Sequence, residues 1–266
     1  ALQIAVLRDD RAGAEALSAR LAAKHPGALP ALEAEAMRLA DLEGDHRAAE
    51  ARLEEALALD PARESLWNAL GLARYALDDL AGAEAAWRQA LALAPGRPEA
   101  RANLAVLLMD QERAEEARAE AEALLRDDPG GYLGLRALGR VEIQEDAPGA
   151  RDTLLRALAA QPAAAETSLM LAIAAWQAGD PRRAEQELDA ARRLDPNDPL
   201  TAEIAAAIAL DRAEADEAIR QAREALRLQR SQGGQAWRLA ADRRGGSRLA
   251  EAFSFIGLDD WARDVG

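Results

Sequence analysis

Residues 64–97 read ESLWNALGLARYALDDLAGAEAAWRQALALAPGR. Trp67, Leu70, Gly71 and Tyr75 recur at spacings of about three to four, which places them on one face of a helix. Asp78-Asp79 then break the pattern, and their carboxylates suit the backbone donors that open the next helix. A second helix runs through Ala83, Trp87, Ala90 and Leu91, and Pro95 stops it. Gly71 and Ala83 carry little or no side chain, so the two axes can approach closely there. A large residue at either position would overpack the contact by ~1–3 kcal/mol.

The same line is written along most of the chain. Pro26, Pro61, Pro95, Pro129, Pro162 and Pro196 are spaced by 35, 34, 34, 33 and 34 residues. Twelve residues before them stand Ala14, Ala49, Ala83, Ala117, Ala150 and Ala184. Five before stand Leu21, Ala56, Ala90, Leu124, Ala157 and Ala191, and two before Pro61, Pro95 and Pro196 stand Leu59, Leu93 and Leu194. A fixed period of this length marks a repeat architecture. Six units follow, 30–63, 64–97, 98–131, 132–164, 165–198 and 199–232, with 1–29 as the end of an earlier one. Unit 132–164 is one residue short near Asp146-Ala147-Pro148-Gly149, and unit 199–232 has Arg230 where proline is expected. Leu2 to Arg8 offers only the last turns of a first helix, so sequence upstream of the given start is expected.

The pattern Trp67-x-x-Leu70-Gly71, Tyr75, Ala83-x-x-x-Trp87-x-x-Ala90, Pro95 resembles the tetratricopeptide repeat (TPR), with the tyrosine one residue later than in its commonest form. Unit 165–198 follows through Leu171-Ala172, Gly179-Asp180, Ala184, Leu188, Ala191 and Asp195-Pro196. The resemblance covers about residues 1–232 and implies an all-α fold. It would be a right-handed superhelical solenoid of stacked helix-turn-helix units, first helices lining the inside. Physically, one helix pair cannot bury its apolar face alone, so neighbours must stack.

Composition narrows the function. With 33 Lys+Arg against 47 Asp+Glu, the chain carries a formal charge of −14, which argues against a general nucleic-acid binder. The absence of Cys excludes thiolate chemistry and Cys-ligated metals. No apolar run approaches the ~20 residues of a membrane span. The sequence leaves the compartment open, cytoplasmic or periplasmic, with a slight lean to a bacterial envelope.

No catalytic constellation is evident. His25 and His46 lie 21 residues apart at a helix end and a turn, and read as surface histidines. No Gly-x-Ser-x-Gly occurs. Gly130-Gly131-x-x-Gly134 follows no strand and precedes no phosphate-loop lysine, so it reads as a helix connection. Asp41, Glu43 and Asp45 lack the spacing of a calcium loop. No enzyme activity, cofactor or metal is expected.

The resemblance implies a peptide-binding concave groove. The twelfth residues of the units are Asp41, Tyr75, Met109, Ile143, Trp176 and Leu210, large and apolar from the second onward. The ninth are Arg38, Leu72, Val106, Arg140, Ile173 and Ala207. Asn68, Asn103, Arg136 and Arg140 are candidates to anchor a peptide backbone or carboxylate. The chain has Asn103 but no lysine beyond Lys24, so the lysine clamp some relatives place on a ligand's C-terminus is doubtful here. The same stripe would also suit a core seam between first helices.

Two other surfaces stand out. Arg220, Arg223, Arg227 and Arg230 share one helix face, either solvated or a dock for an acidic protein, lipid headgroups or nucleic acid. Residues 233–266 break the period and hold four of the nine aromatics, Trp237, Phe253, Phe255 and Trp261. They read as a capping helix or as a partner-docking tail. The expected function is a non-catalytic scaffold that binds a protein or peptide. The alternative is the recognition arm of a larger enzyme or cell-envelope assembly machine. The oligomeric state is not legible.

Overall fold

The computed structural model describes residues 27–231 apart from Asp146, together with the isolated positions 13, 16 and 20. His25, Lys24, residues 2–8, Phe253, Phe255 and Trp261 lie outside the described residues, as do the side chain of Arg230 and the reading of 233–266 as cap or docking tail. The described residues form α-helices, one π-helical turn and no strand. The all-α expectation holds.

The helices come in pairs: α1 (Leu29–Arg38) and α2 (His46–Leu59), α3 (Glu64–Ala76) and α4 (Leu80–Leu93), α5 (Pro98–Asp110) and α6 (Ala114–Asp127). Then follow α7 (Tyr132–Gln144) and α8 (Ala150–Ala160), α9 (Ala165–Gln177) and α10 (Pro181–Leu194), α11 (Pro199–Asp211) and α12 (Ala215–Ser231). Contacts divide the chain into two compact units, with the boundary at Leu107 and Leu108 inside α5.

Four of the turns inside the described pairs share one construction. The first helix ends in a left-handed residue: Asp78 (φ 68°), Glu112 (φ 61°), Gly179 (φ 72°) and Ala213 (φ 57°). The N–H of the next residue reaches back five positions, as Asp79 to Arg74 O (2.9 Å) and Asp180 to Ala175 O (2.9 Å). This closes the orphan carbonyls of the helix end. The same residue then opens the second helix. Asp79 accepts from Gly82 N–H, Asp180 from Arg183 N–H and Asp45 from Ala48 N–H. An Asp in this place therefore ends one helix and starts another.

Departures from the 34-residue period are absorbed locally. The long spacing Pro26–Pro61 coincides with a π-helical turn, Leu39–Glu43, which continues α1 and closes on Gly44 (φ 68°). The short spacing Pro129–Pro162 coincides with α8, only 11 residues against 14 in α2, α4, α6 and α10.

In the first unit the core joins Leu32, Leu53, Leu57, Leu66 and Leu70 of successive helices. Trp87 is 1% exposed and lies over Gly71, where a Cβ would stand 2.4 Å from its Nε1. The close approach expected of Gly71 is therefore occupied by an indole. In the second unit Leu154 lies over Gly139 in the same way, a Cβ there meeting Leu154 Cδ2 at 2.5 Å. Leu169, Leu188 and Ile208 centre the next cluster.

His46 corrects a reading. It is not a surface turn residue but the first residue of α2, buried at 7% exposure. Burial lowers its pKa, against the opposing pull of Asp45. In the unfolded chain it titrates near ~6.5. The neutral form favours the fold, so this contribution is complete above that value and is lost as pH falls below it towards the folded pKa. The expected result is a thermal midpoint that falls between pH 7.5 and 5.5, with a shallower fall for His46→Gln. Equal slopes in melts of the two proteins would remove His46 from the account.

Candidate functional site: the open face of the first helices

In the second unit the first helices are the most enclosed elements. In α11, residues Thr201, Ala202, Glu203, Ala205, Ala206, Ile208 and Ala209 are all buried. The positions left partly open within it are Leu200, Ile204, Ala207, Leu210 and Asp211, spaced four, three, three and one apart. Such spacing describes a single helix face. In α9, Thr167 to Ala172, Ala174 and Ala175 are buried, while Ile173, Trp176 and Gln177 stay partly open. Ile143 and Arg140 are half-buried in α7. The ninth and twelfth positions of these units therefore lie where their helices reach solvent.

Polar side chains knit this face together. The Trp176 indole N–H donates to Asp211 Oδ2 (3.0 Å), and Gln177 Nε2 donates to Ile143 O (3.0 Å). Tyr132 Oη and Thr167 Oγ1 lie 3.3 Å apart. Arg136 meets Glu166 at 2.9 Å and stands over the Tyr132 ring, 5.7 Å from its centre. Arg140 meets Asp110 at 2.9 Å. Each of these bonds joins one first helix to the next.

This changes the role of the predicted anchors. Arg136 and Arg140 are already matched by acids 30 residues away in sequence. They brace neighbouring first helices, and their charge is balanced before any ligand arrives. In the first unit, Asn103 Nδ2 donates to Asn68 Oδ1 (3.1 Å), so the asparagines serve each other. Tyr75 packs against Trp87, ring centres 5.9 Å apart. Leu72 is 40% exposed, and Val106 is half-buried. Met109 departs from the stripe. It is 3% exposed and belongs to the interior, with no surface to offer a ligand. Sequence reasoning missed the braces, although a complementary residue one period or 30 positions away is a signal that could be searched for.

Two arginines of the α12 face are matched within their own helix. Arg220 pairs with Glu217, and Arg227 pairs with Glu224 at 2.6 Å. The hydrogen bond from Gln221 and the neighbouring Arg220 keep the Glu217 carboxyl below its usual range, and Arg227 does the same for Glu224. Among the described residues no cluster of three His, Cys, Asp or Glu could hold a metal. None of their helices is long and apolar enough to cross a membrane.

Family models described as tetratricopeptide repeat match residues 34–98, 74–138 and 143–199. The chain belongs to the tetratricopeptide repeat family. Solved structures share the TPR fold. A chain of the APC/C hetero-tetramer Cut9–Hcn1 superposes with TM-score 0.75 at 18% identity, over 85% of this chain. This chain spans 45% of that longer one. PilW, a widely conserved type IV pilus biogenesis factor, superposes with TM-score 0.61 at 25% identity, over 73% of this chain and 90% of its own. A double mutant of MamA from RS-1 superposes with TM-score 0.51 at 16% identity, over 63% of this chain and 94% of its own. No curated protein matches the sequence. TPR units are a protein-interaction fold.

Proposed function

We propose that this TPR protein is a non-catalytic scaffold that holds an apolar polypeptide segment along the open face of its first helices. The carrying observation is the enclosure of α9 and α11 on every side but one. The open side presents Ile173, Trp176, Ile204 and Leu210, continued by Ile143 on α7. A helix that is apolar all round and open on one row offers that row to another apolar surface. The braces fix these side chains beforehand, so little conformational entropy is lost when a ligand binds. Charge plays a minor part, because Arg136 and Arg140 are neutralised in place. In the first unit, Leu72 and Val106 are the positions of the same kind.

A second reading is recognition within a larger assembly, including one of the bacterial envelope. The likeness to PilW, a pilus biogenesis factor, supports it.

The test is affinity capture from native lysate with mass spectrometry, wild type beside Ile173→Glu/Leu210→Glu. Circular dichroism and a thermal melt establish that the variant is folded. A client retained by the wild type and lost by the folded variant supports the site. Equal retention moves the site elsewhere. An unfolded variant makes the row a core seam, against this proposal.

A further inference from the structure

In the second unit each first helix ends one residue after the large apolar side chain of its row. That last residue is Asp110 in α5, Gln144 in α7, Gln177 in α9 and Asp211 in α11. Gln177 donates to Ile143 O, and Asp110 is matched by Arg140 of the next first helix at 2.9 Å. Asp211 differs. Its Oδ2 accepts the Trp176 indole N–H at 3.0 Å, and no cation among the described residues pairs with it. Its neighbour Arg212 is already held by Glu185 and, at 2.9 Å, by Glu214. Three carboxylates therefore stand against one guanidinium around this helix end, and Asp211 is exposed. The indole brings a hydrogen bond but no charge. A full negative charge thus stays open to solvent beside the half-buried ring of Trp176.

We infer that the polypeptide held on the open row carries a lysine or arginine beside its apolar residues, and that Asp211 and Trp176 receive it. This rests on the row being a polypeptide site, as proposed above, and adds the sign of the ligand's charge. Lysine and arginine fit because each places a cation at the end of an aliphatic stem. The stem lies along the apolar row, while the cation meets the Asp211 carboxylate and is attracted by the indole ring. A ligand aspartate or glutamate in the same place meets a like charge and is rejected. Arg136 and Arg140, further along the face, are neutralised by Glu166 and Asp110, so they do not repel a basic ligand. The formal charge of −14 favours the same sign of partner during approach. One pair at an exposed rim is screened by solvent, so it sets selectivity more than affinity. Asp211 then has two duties, to position the indole and to select the ligand.

The two duties separate in Asp211→Asn, whose side-chain carbonyl still accepts the indole N–H but carries no charge. A displayed library of random peptides is selected on the full chain, on Asp211→Asn and on Ile173→Glu/Leu210→Glu, with circular dichroism of each. Peptides recovered on the wild type are expected to combine apolar residues with Lys or Arg. Those recovered on Asp211→Asn should keep the apolar residues and lose the basic preference. A selected peptide is then synthesised with its basic residue and with Gln in its place. The exchange is expected to weaken binding to the wild type about five-fold, and to Asp211→Asn by less than about two-fold. Apolar peptides with no basic preference, or with the same preference on Asp211→Asn, overturn this inference and leave the row as the site. An unfolded double variant, peptides recovered equally on it, or no recovery on the wild type overturns the row, and this inference with it.

Discussion

Replacing Trp87 with alanine is expected to destabilise the first unit by about 3–5 kcal/mol, the range for a fully enclosed large side chain. Trp87 is 1% exposed, donates its indole N–H to Asn68 O at 3.2 Å and lies directly over Gly71. Removing it opens a cavity between α3 and α4 and takes the packing partner from Tyr75. The companion experiment makes the contact diagnostic. Gly71→Ala alone places a methyl within 2.4–2.7 Å of three indole atoms, so it should destabilise by ~1–3 kcal/mol despite the helix propensity of alanine. In a Trp87→Leu background the clash is gone, and the same substitution should become neutral or stabilising by up to ~1 kcal/mol. Urea unfolding of the four proteins closes the cycle, and additive effects would show that the two residues do not share a contact. Hydrogen exchange should accompany it, because repeat arrays can lose cooperativity between neighbouring pairs.

Trp176→Ala is expected to weaken client binding about 30-fold or more, the ~2 kcal/mol of an interface hot spot, while the chain stays folded. Trp176 is half-buried, at the centre of the open row and steered by Asp211. Together with Ile173 it is a large apolar side chain that α9 leaves partly open. Raising ionic strength from about 0.1 M to about 1 M shortens the screening length from ~10 Å to ~3 Å. Affinity should change little across that range, because the arginines beside the row are already paired with Asp110 and Glu166. Titration calorimetry with the captured client at both salt levels reads both effects. A steep fall with salt would point instead to unpaired charge, and to the exposed arginines outside this face.

Much of the fold is legible in 64–97 alone. The period of the apolar residues gives two helices, Asp79 gives the cap, and Pro95 gives the stop, because each acts through local geometry that one residue type satisfies. The identity of the residue over Gly71 is different in kind. The small residue is visible in sequence, but that Trp87 rather than another apolar neighbour fills the space depends on how the axes cross. The π-helical turn hides in the same way: a spacing of 35 announces one extra residue without saying where the helix takes it up. His46 reads as solvent-exposed because its neighbours are charged, yet the helix it opens turns it inward.

The candidate site divides along the same line. Its apolar row follows from counting, since positions nine and twelve of a unit share a face whatever the neighbours do. Met109 breaks the row because burial depends on what lies opposite, which counting along one helix does not reveal. The arginines look like anchors for a ligand because their acids stand 30 residues away, outside any local window.

The bonds between successive first helices have a consequence for how such a chain can be edited. Asn68 meets Asn103, Tyr132 meets Thr167 and Trp176 meets Asp211, each 35 residues on and each a different pairing of chemistries. The helix pairs share a backbone template, but at these points they are not interchangeable. Depending on where it is cut, removing a block of 34 residues would set the Asn68 amide against Ala137 or the Asp211 carboxylate against Glu142. The sequence thus carries an address for each pair as well as a shape, and the order of the pairs is written in the side chains that clasp them.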